Sequence, residues 1–284
     1  MKTNLFLIAM IFTLSLGSCK TKTDVFVQTQ KDKNGNWEIL LENSKIKIRY
    51  GYKIIHVAEG MITDLYMKAF PEESLEGWIL DGAAHRGVIT NAEVVKDSVT
   101  EKTVRVTWAP HKVWAKRLPG PAISEFTIYP DSQVLKIHYV SFYFPHICDI
   151  GLYKDTVNVA DCGGAYSIYG FKKDSIPLYE DCLYWVRDSC MGCFGKRASL
   201  GYAIDPSPLL YKGWFIMAVY KKDNQHGFAR VFPANNIICI KLLWNKGFEI
   251  FPKHNDLTCY LYPFSNGGKE AVEFGKKLVD KLNP

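Results

Sequence analysis

The stretch ISEFTIYPDSQVLKIHYVSFYF, residues 123–144, decides the fold class. Phe126 and Ile128 alternate with Glu125 and Thr127, and Leu135, Ile137 and Tyr139 alternate with Lys136 and His138. A period of two sends successive side chains to opposite faces of a strand, so each run carries one apolar and one polar face. Between the runs, Pro130-Asp131-Ser132 is turn chemistry, because proline presets φ and an aspartate can bond the backbone ahead of it. The stretch reads as strand, tight turn, strand.

The same alternation continues on both sides. Ile46 and Ile48 sit among Lys45, Lys47 and Arg49, and short strands are expected at 53–57, 61–67, 88–95 and 103–108. Further strands are expected at 179–185, 202–204, 213–221, 227–232, 237–244, 248–251 and 258–263. One helix is predicted over 269–282, capped by Ser265-Asn266, with Ala271, Phe274, Leu278 and Leu282 on one face. The expected fold is therefore all-β, a large antiparallel β-sandwich with one C-terminal helix, forming a single domain over 37–284.

With 284 residues, 48% of them hydrophobic and 14% aromatic, the chain can bury a full core. Its net charge of +6 comes from lysines and arginines interleaved with acids. That dispersal makes a solvated surface, and no nucleic-acid partner is expected.

Near the N-terminus, Lys2 precedes an apolar run over 5–16, followed by Leu16-Gly17-Ser18-Cys19. A short basic region, about a dozen apolar residues and small residues before a cut make a secretory signal, too short for a membrane span. The arrangement resembles the bacterial lipoprotein signal, which implies removal of residues 1–18, diacylation of Cys19 and attachment to a membrane of the cell envelope, in the periplasm or at the outer membrane. Residues 19–36 are polar and are expected to be a flexible tether, with folding starting near Trp37.

Eight cysteines leave seven once Cys19 is set aside, so at least one of them has no intramolecular partner. Cys190-Met191-Gly192-Cys193 has the spacing of a redox pair, half a zinc site or a disulfide. A redox pair wants a helix N-terminus to stabilise a thiolate, and zinc wants a second ligand pair. Neither context is present in this stretch, 189–199, which reads as a loop among strands. No metal site and no cofactor are expected.

Two polar, aromatic loops interrupt the strands at 70–87 and 109–122. The first contains Trp78 and Asp81-Gly82-Ala83-Ala84-His85-Arg86. A histidine moves protons near neutral pH, and an adjacent arginine can hold a carboxylate by two hydrogen bonds. His85 and Arg86 are thus catalytic candidates, with Asp81 placed to orient the ring; a loop histidine satisfied by backbone groups is the plainer alternative. His146, at a strand end after FYFP, has the same roles open to it. Trp78 and Trp114 could stack on sugar rings, and Lys112 and Arg117 beside Trp114 suit an acidic glycan. Of the carboxylates in apolar surroundings, Asp81, Asp149, Glu180, Asp181 and Glu249, no spacing singles out the facing pair that glycoside hydrolysis requires.

The order of these pieces resembles the galactose mutarotase-like β-supersandwich. The likeness is carried by ENSKIKIRYG followed by EGMITDLYMK, by the hairpin SEFTIYPDSQVLKIHY, and by WNKGFEIFP followed by LYPF. The group includes sugar epimerases, accessory domains of glycosidases and lyases, and proteins without known activity. It implies a carbohydrate partner, an oligo- or polysaccharide, and it marks Glu249, on a late strand where such enzymes carry an acid or base. The paired Asn-Arg and the His-Pro motifs of aldose epimerases are absent from the sequence. Two readings follow: lyase- or epimerase-type proton transfer on an acidic sugar, or a non-catalytic glycan-binding or structural lipoprotein.

Overall fold

The computed structural model describes residues 25–55, 58–68, 87–110, 121–141, 147–150, 162–169, 183–187, 190–194, 203–204, 214–221, 226–233, 236–243, 247–252 and 256–282. The chain opens with β1 (Phe26–Lys31), β2 (Trp37–Glu42), β3 (Ile46–Ile55) and β4 (Ala58–Met67), an antiparallel sheet paired in that order. Next come β5 (Gly87–Asp97), β6 (Lys102–Pro110), β7 (Ala122–Ile128) and β8 (Leu135–Ser141), each paired with the one before. After β9 (Ile147–Ile150) and β10 (Cys162–Tyr169), β11 (Leu183–Arg187) and β12 (Cys190–Phe194) form a separate hairpin. The remaining strands are β13 (Ala203–Ile204), β14 (Trp214–Lys221), β15 (Gly227–Pro233), β16 (Ile237–Leu243), β17 (Gly247–Pro252) and β18 (Leu257–Phe264). The helix α1 (Gly267–Leu282) follows. An eight-stranded antiparallel sheet runs β10-β14-β15-β18-β8-β7-β6-β5, and a four-stranded one runs β13-β16-β17-β9.

The antiparallel sandwich with one C-terminal helix is thus present as the alternation predicts. Two local expectations change. The stretch 25–36 is not a tether: β1 pairs with β2 from Phe26↔Glu42 to Lys31↔Trp37. Backbone hydrogen bonds rather than buried apolar side chains hold this edge strand, which is why its polar sequence concealed it. The turn behind it is closed by Asp32, whose Oδ1 accepts the N–H groups of Asn34 (2.7 Å) and Asn36 (2.9 Å), while Gly35 takes φ +83°. The C-x-x-C lies on β12 within a hairpin, not in a loop.

The eight-stranded sheet packs its inner face against the β1–β4 sheet. Ile39, Leu41, Ile46, Ile48 and Tyr50 from one side and Val104, Val106, Trp108, Phe126 and Ile137 from the other are buried. Tyr50 meets Trp108 edge-on at 5.5 Å and Phe126 at 4.7 Å between ring centroids. Each such side chain fully removed from water is worth roughly 1.5–3 kcal/mol.

One asparagine stitches the two sheets together at an end. Asn43 is fully buried; its Oδ1 accepts the N–H groups of Lys45 and Ile46, both at 2.8 Å. Its Nδ2 donates to the carbonyls of Tyr129 (2.6 Å) and Ser132 (2.7 Å). The turns at 43–45, 98–101 and 129–134 therefore share one end of the sandwich, the near end. Gly87, Pro110, Ala122 and Ser141 mark the far end, since Gly87 pairs with Pro110, Trp108 with Ala122 and Ile123 with Ser141.

On the outer face, α1 covers β14, β15 and β18. Ala271, Val272 and Val279 meet Ile216, Ala218, Ala229, Val231, Tyr262 and Phe264. Gly267, at φ +87°, lets the chain pass from strand to helix within a few residues, so α1 begins two residues before the predicted start. Tyr262 Oη donates to the Ala271 carbonyl at 2.6 Å, pinning the helix to the sheet.

Candidate functional site

Trp78, His85, Arg86, Lys112, Trp114, Arg117, His146 and Cys19 lie outside the described residues, as does the side chain of Glu249. The structure does define where their segments join the sheets. Gly87, the residue after Arg86, pairs with Pro110, and Lys112 follows Pro110 by two residues. The stretch that holds Lys112, Trp114 and Arg117 leaves β6 and returns at β7, where Trp108 pairs with Ala122. Two of the sequence's candidate groups thus attach to neighbouring strands at the far end of one sheet.

A second juxtaposition is in the sheet of β9, β13, β16 and β17. Glu249 sits opposite Cys148 on β9 and opposite Lys241 on β16. β9 begins at Ile147, one residue past His146, so the ladder places the Glu249 backbone beside the strand that His146 precedes. Among the described residues no ladder joins this sheet to the eight-stranded one.

The inner face of the eight-stranded sheet also holds a polar cluster that the sequence reading did not single out. Arg230 on β15 is fully buried; its Nη1 donates to Tyr139 Oη at 2.9 Å and lies 3.0 Å from Cys259 Sγ. Its guanidinium carbon stands 6.0 Å from the Tyr139 ring centroid. Ser124, opposite Tyr139 in the β7–β8 ladder, and Trp108 are buried as well. Ser124 Oγ and Trp108 Nε1 have no hydrogen-bond partner among the described residues. A buried charge persists only where polar groups meet it, and Tyr139 Oη and Cys259 Sγ do so for Arg230 within an apolar sandwich. The one charge in GFARVF is the signal that could have flagged it.

A row of charges crosses the outer face of the same sheet. Arg105 Nε and Nη2 donate to Glu125 Oε1 at 2.9 and 2.7 Å. Glu125 Oε2 is 3.3 Å from His138 Nδ1, and His138 Nε2 is 2.8 Å from Asp256 Oδ1. Partial burial works to raise the pKa of Glu125, but the hydrogen bonds from Arg105 and His138 prevail and hold it below its ordinary value. Register explains the row: Arg105 faces Glu125 across β6–β7, and Glu125 faces His138 across β7–β8. This is cross-strand stitching on a solvated face.

Among the described residues no three His, Cys, Asp or Glu side chains converge as a metal site would require. Nor is any described helix long and apolar enough to cross a membrane.

No protein-family model and no curated protein matches the sequence. The chain is similar in structure to a candidate aldose 1-epimerase from Klebsiella pneumoniae, at a TM-score of 0.44 and 10% identity, over 92% of this chain and 88% of that one. It is similar to a galactose mutarotase-like protein from Clostridium acetobutylicum, at a TM-score of 0.38 and 7% identity, over 86% of this chain and 99% of that one. A third similar structure is a quadruple mutant of the alpha-N-acetylgalactosaminidase NagBb from Bifidobacterium bifidum. Its TM-score is 0.42 at 10% identity, over 91% of this chain and 39% of that one.

Proposed function

We infer that this chain is a lipid-anchored protein of the bacterial envelope that acts on an acidic carbohydrate by proton transfer, as a lyase or an epimerase does. The observation that supports this most is the pairing of Gly87 with Pro110. It joins the segment ending in His85-Arg86 and the segment bearing Lys112, Trp114 and Arg117 to adjacent strands at one end of the sheet.

The residue types in those segments suit one chemistry. An arginine or lysine neutralises a uronate carboxylate, which makes the neighbouring C–H more acidic. A histidine, His85 or His146, takes that proton. Loss of the glycosidic oxygen from the next carbon then gives an unsaturated uronate, and return of a proton to the opposite face gives an epimer. Trp78 and Trp114 supply flat apolar surfaces for the ring, and Glu249 is the carboxylate available to serve as partner acid or base. A binding role without turnover is the second reading, favoured by the absence of the aldose-epimerase Asn-Arg and His-Pro motifs from the sequence.

The test is incubation of the purified protein with a panel of acidic and neutral glycans. The catalytic reading expects unsaturated-uronate absorbance or an epimerised product, lost in His85→Ala or His146→Ala. Retardation in a glycan-loaded gel with no product supports the binding reading. Neither signal with any glycan overturns both.

A further inference from the structure

We propose that the near end of the sandwich is a docking surface for anionic phospholipid headgroups, holding the domain with its far end turned away from the membrane. The inference rests on acylation of Cys19, as read above, and adds an orientation that acylation alone does not give.

Three observations converge on this end. The first is where the chain enters: Phe26 pairs with Glu42, one residue before Asn43, which is bonded to the 129–134 turn. Val25 is six residues past Cys19, a span of at most roughly 20 Å when fully extended. The ten-residue strand β3 is about 33 Å long, so the near end stays within the leash while the opposite end lies beyond it.

The second is apolar exposure at the tips. Phe26 is 48% exposed, and Val99, in the turn between β5 and β6, is 73% exposed. Apolar side chains at loop tips enter a headgroup layer readily and gain little in water.

The third is charge. A groove of about 340 Å³ opens beside the 129–134 turn, lined by Lys45, Lys277 and Lys281 around Val134, Phe274 and Leu278. Asp131 is its one carboxylate, and it is engaged by Lys45 at 3.4 Å. Lys277 and Lys281, a helical turn apart, have no carboxylate partner among the described residues. Lysines over an apolar floor fit a phosphate with glycerol and acyl carbons beneath it, and each lysine near an anionic surface is worth roughly fivefold in partitioning. The same orientation turns Gly87 and Pro110 to the solvent side.

The experiment is hydrogen–deuterium exchange with mass detection on the full lipidated protein, reconstituted in vesicles of phosphatidylcholine alone or mixed with phosphatidylglycerol. Amides of 98–101 and 131–133 are expected to slow with phosphatidylglycerol, while those of the 32–36 turn, at the opposite end, do not change. In Lys277→Glu/Lys281→Glu, an exposed pair whose reversal leaves the core intact, that slowing should vanish. Equal exchange in both vesicle types, or protection of 32–36 instead, overturns the proposal. The same spectra weigh residue 19: a bare Cys19 sinks the anchor and this orientation with it, whereas an acylated Cys19 with unprotected tips sinks the orientation alone.

Discussion

Replacing Gly275 by alanine tests how closely the helix is seated on the sheet. A Cβ built at this position stands 2.7 Å from Ile216 Cγ2, 2.7 Å from Tyr262 Oη and 3.1 Å from Ile216 Cδ1. Ile216 is β-branched and cannot swing away cheaply, and Tyr262 Oη is held by its bond to the Ala271 carbonyl. Helix propensity alone favours alanine by about 0.5–1 kcal/mol. Overpacking a filled core costs about 1–3 kcal/mol. Displacing the Tyr262 hydroxyl forfeits a further ~1 kcal/mol of hydrogen bond. The balance is a net loss of about 1–3 kcal/mol, read as a lower urea midpoint at unchanged slope. Tyr262→Phe removes one of the two closest contacts, so Gly275→Ala should cost less in that background. An alanine variant as stable as the parent, or more so, would refute the close seating of α1 on β14 and β18.

Three other outcomes follow from the same geometry. Asn43→Ala strips partners from two carbonyls and two N–H groups and should cost about 2–4 kcal/mol in urea melts; Asn43→Asp should not rescue it, because a carboxylate cannot donate to Tyr129 and Ser132. Glu125 has a folded pKa below its ordinary 4.5, so its ionised form adds stability above that value and the gain is lost as pH falls through the folded pKa. Glu125→Gln should therefore flatten the acid side of the stability profile, and a parallel profile would contradict the Arg105–Glu125–His138 row. Burial, aided by Glu101 and Tyr260, pushes the Tyr129 hydroxyl up to about 12. Stability from Tyr129 should be full below its unfolded value of 10.0 and decline as pH rises through the folded one. In ultraviolet titration, the latest-ionising tyrosines should lose one member in Tyr129→Phe.

Much of the architecture was legible because burial on one face of a strand is written as alternation. The stretch read as strand, turn, strand holds β7 and β8 over its described part, 123–141, and the helix periodicity from Lys269 onward is α1. β1 was hidden because FVQTQK buries almost nothing; its partner WEILLE supplies the order, and that pairing is non-local information. C-x-x-C spacing says nothing of backbone conformation, so a hairpin strand read as a loop. Arg230 went unnoticed because a single charge within GFARVF resembles an outward-facing strand residue; only the three-dimensional partners, Tyr139 and Cys259, show that it points inward. For the candidate site, the sequence supplied residue types, and the ladders supplied the meeting of their segments at Gly87–Pro110 and at Glu249–Cys148.

The most direct measurement of the proton-transfer assignment is made in deuterium oxide. The purified protein is mixed with uronate-containing oligosaccharides, and the C–H next to the carboxylate is followed by NMR. Enzyme-dependent replacement of that proton by deuterium, or its loss with formation of a double bond, is expected, with both absent in His85→Ala or His146→Ala. An intact C–H signal across every uronate tried, or exchange that survives both substitutions, would contradict it.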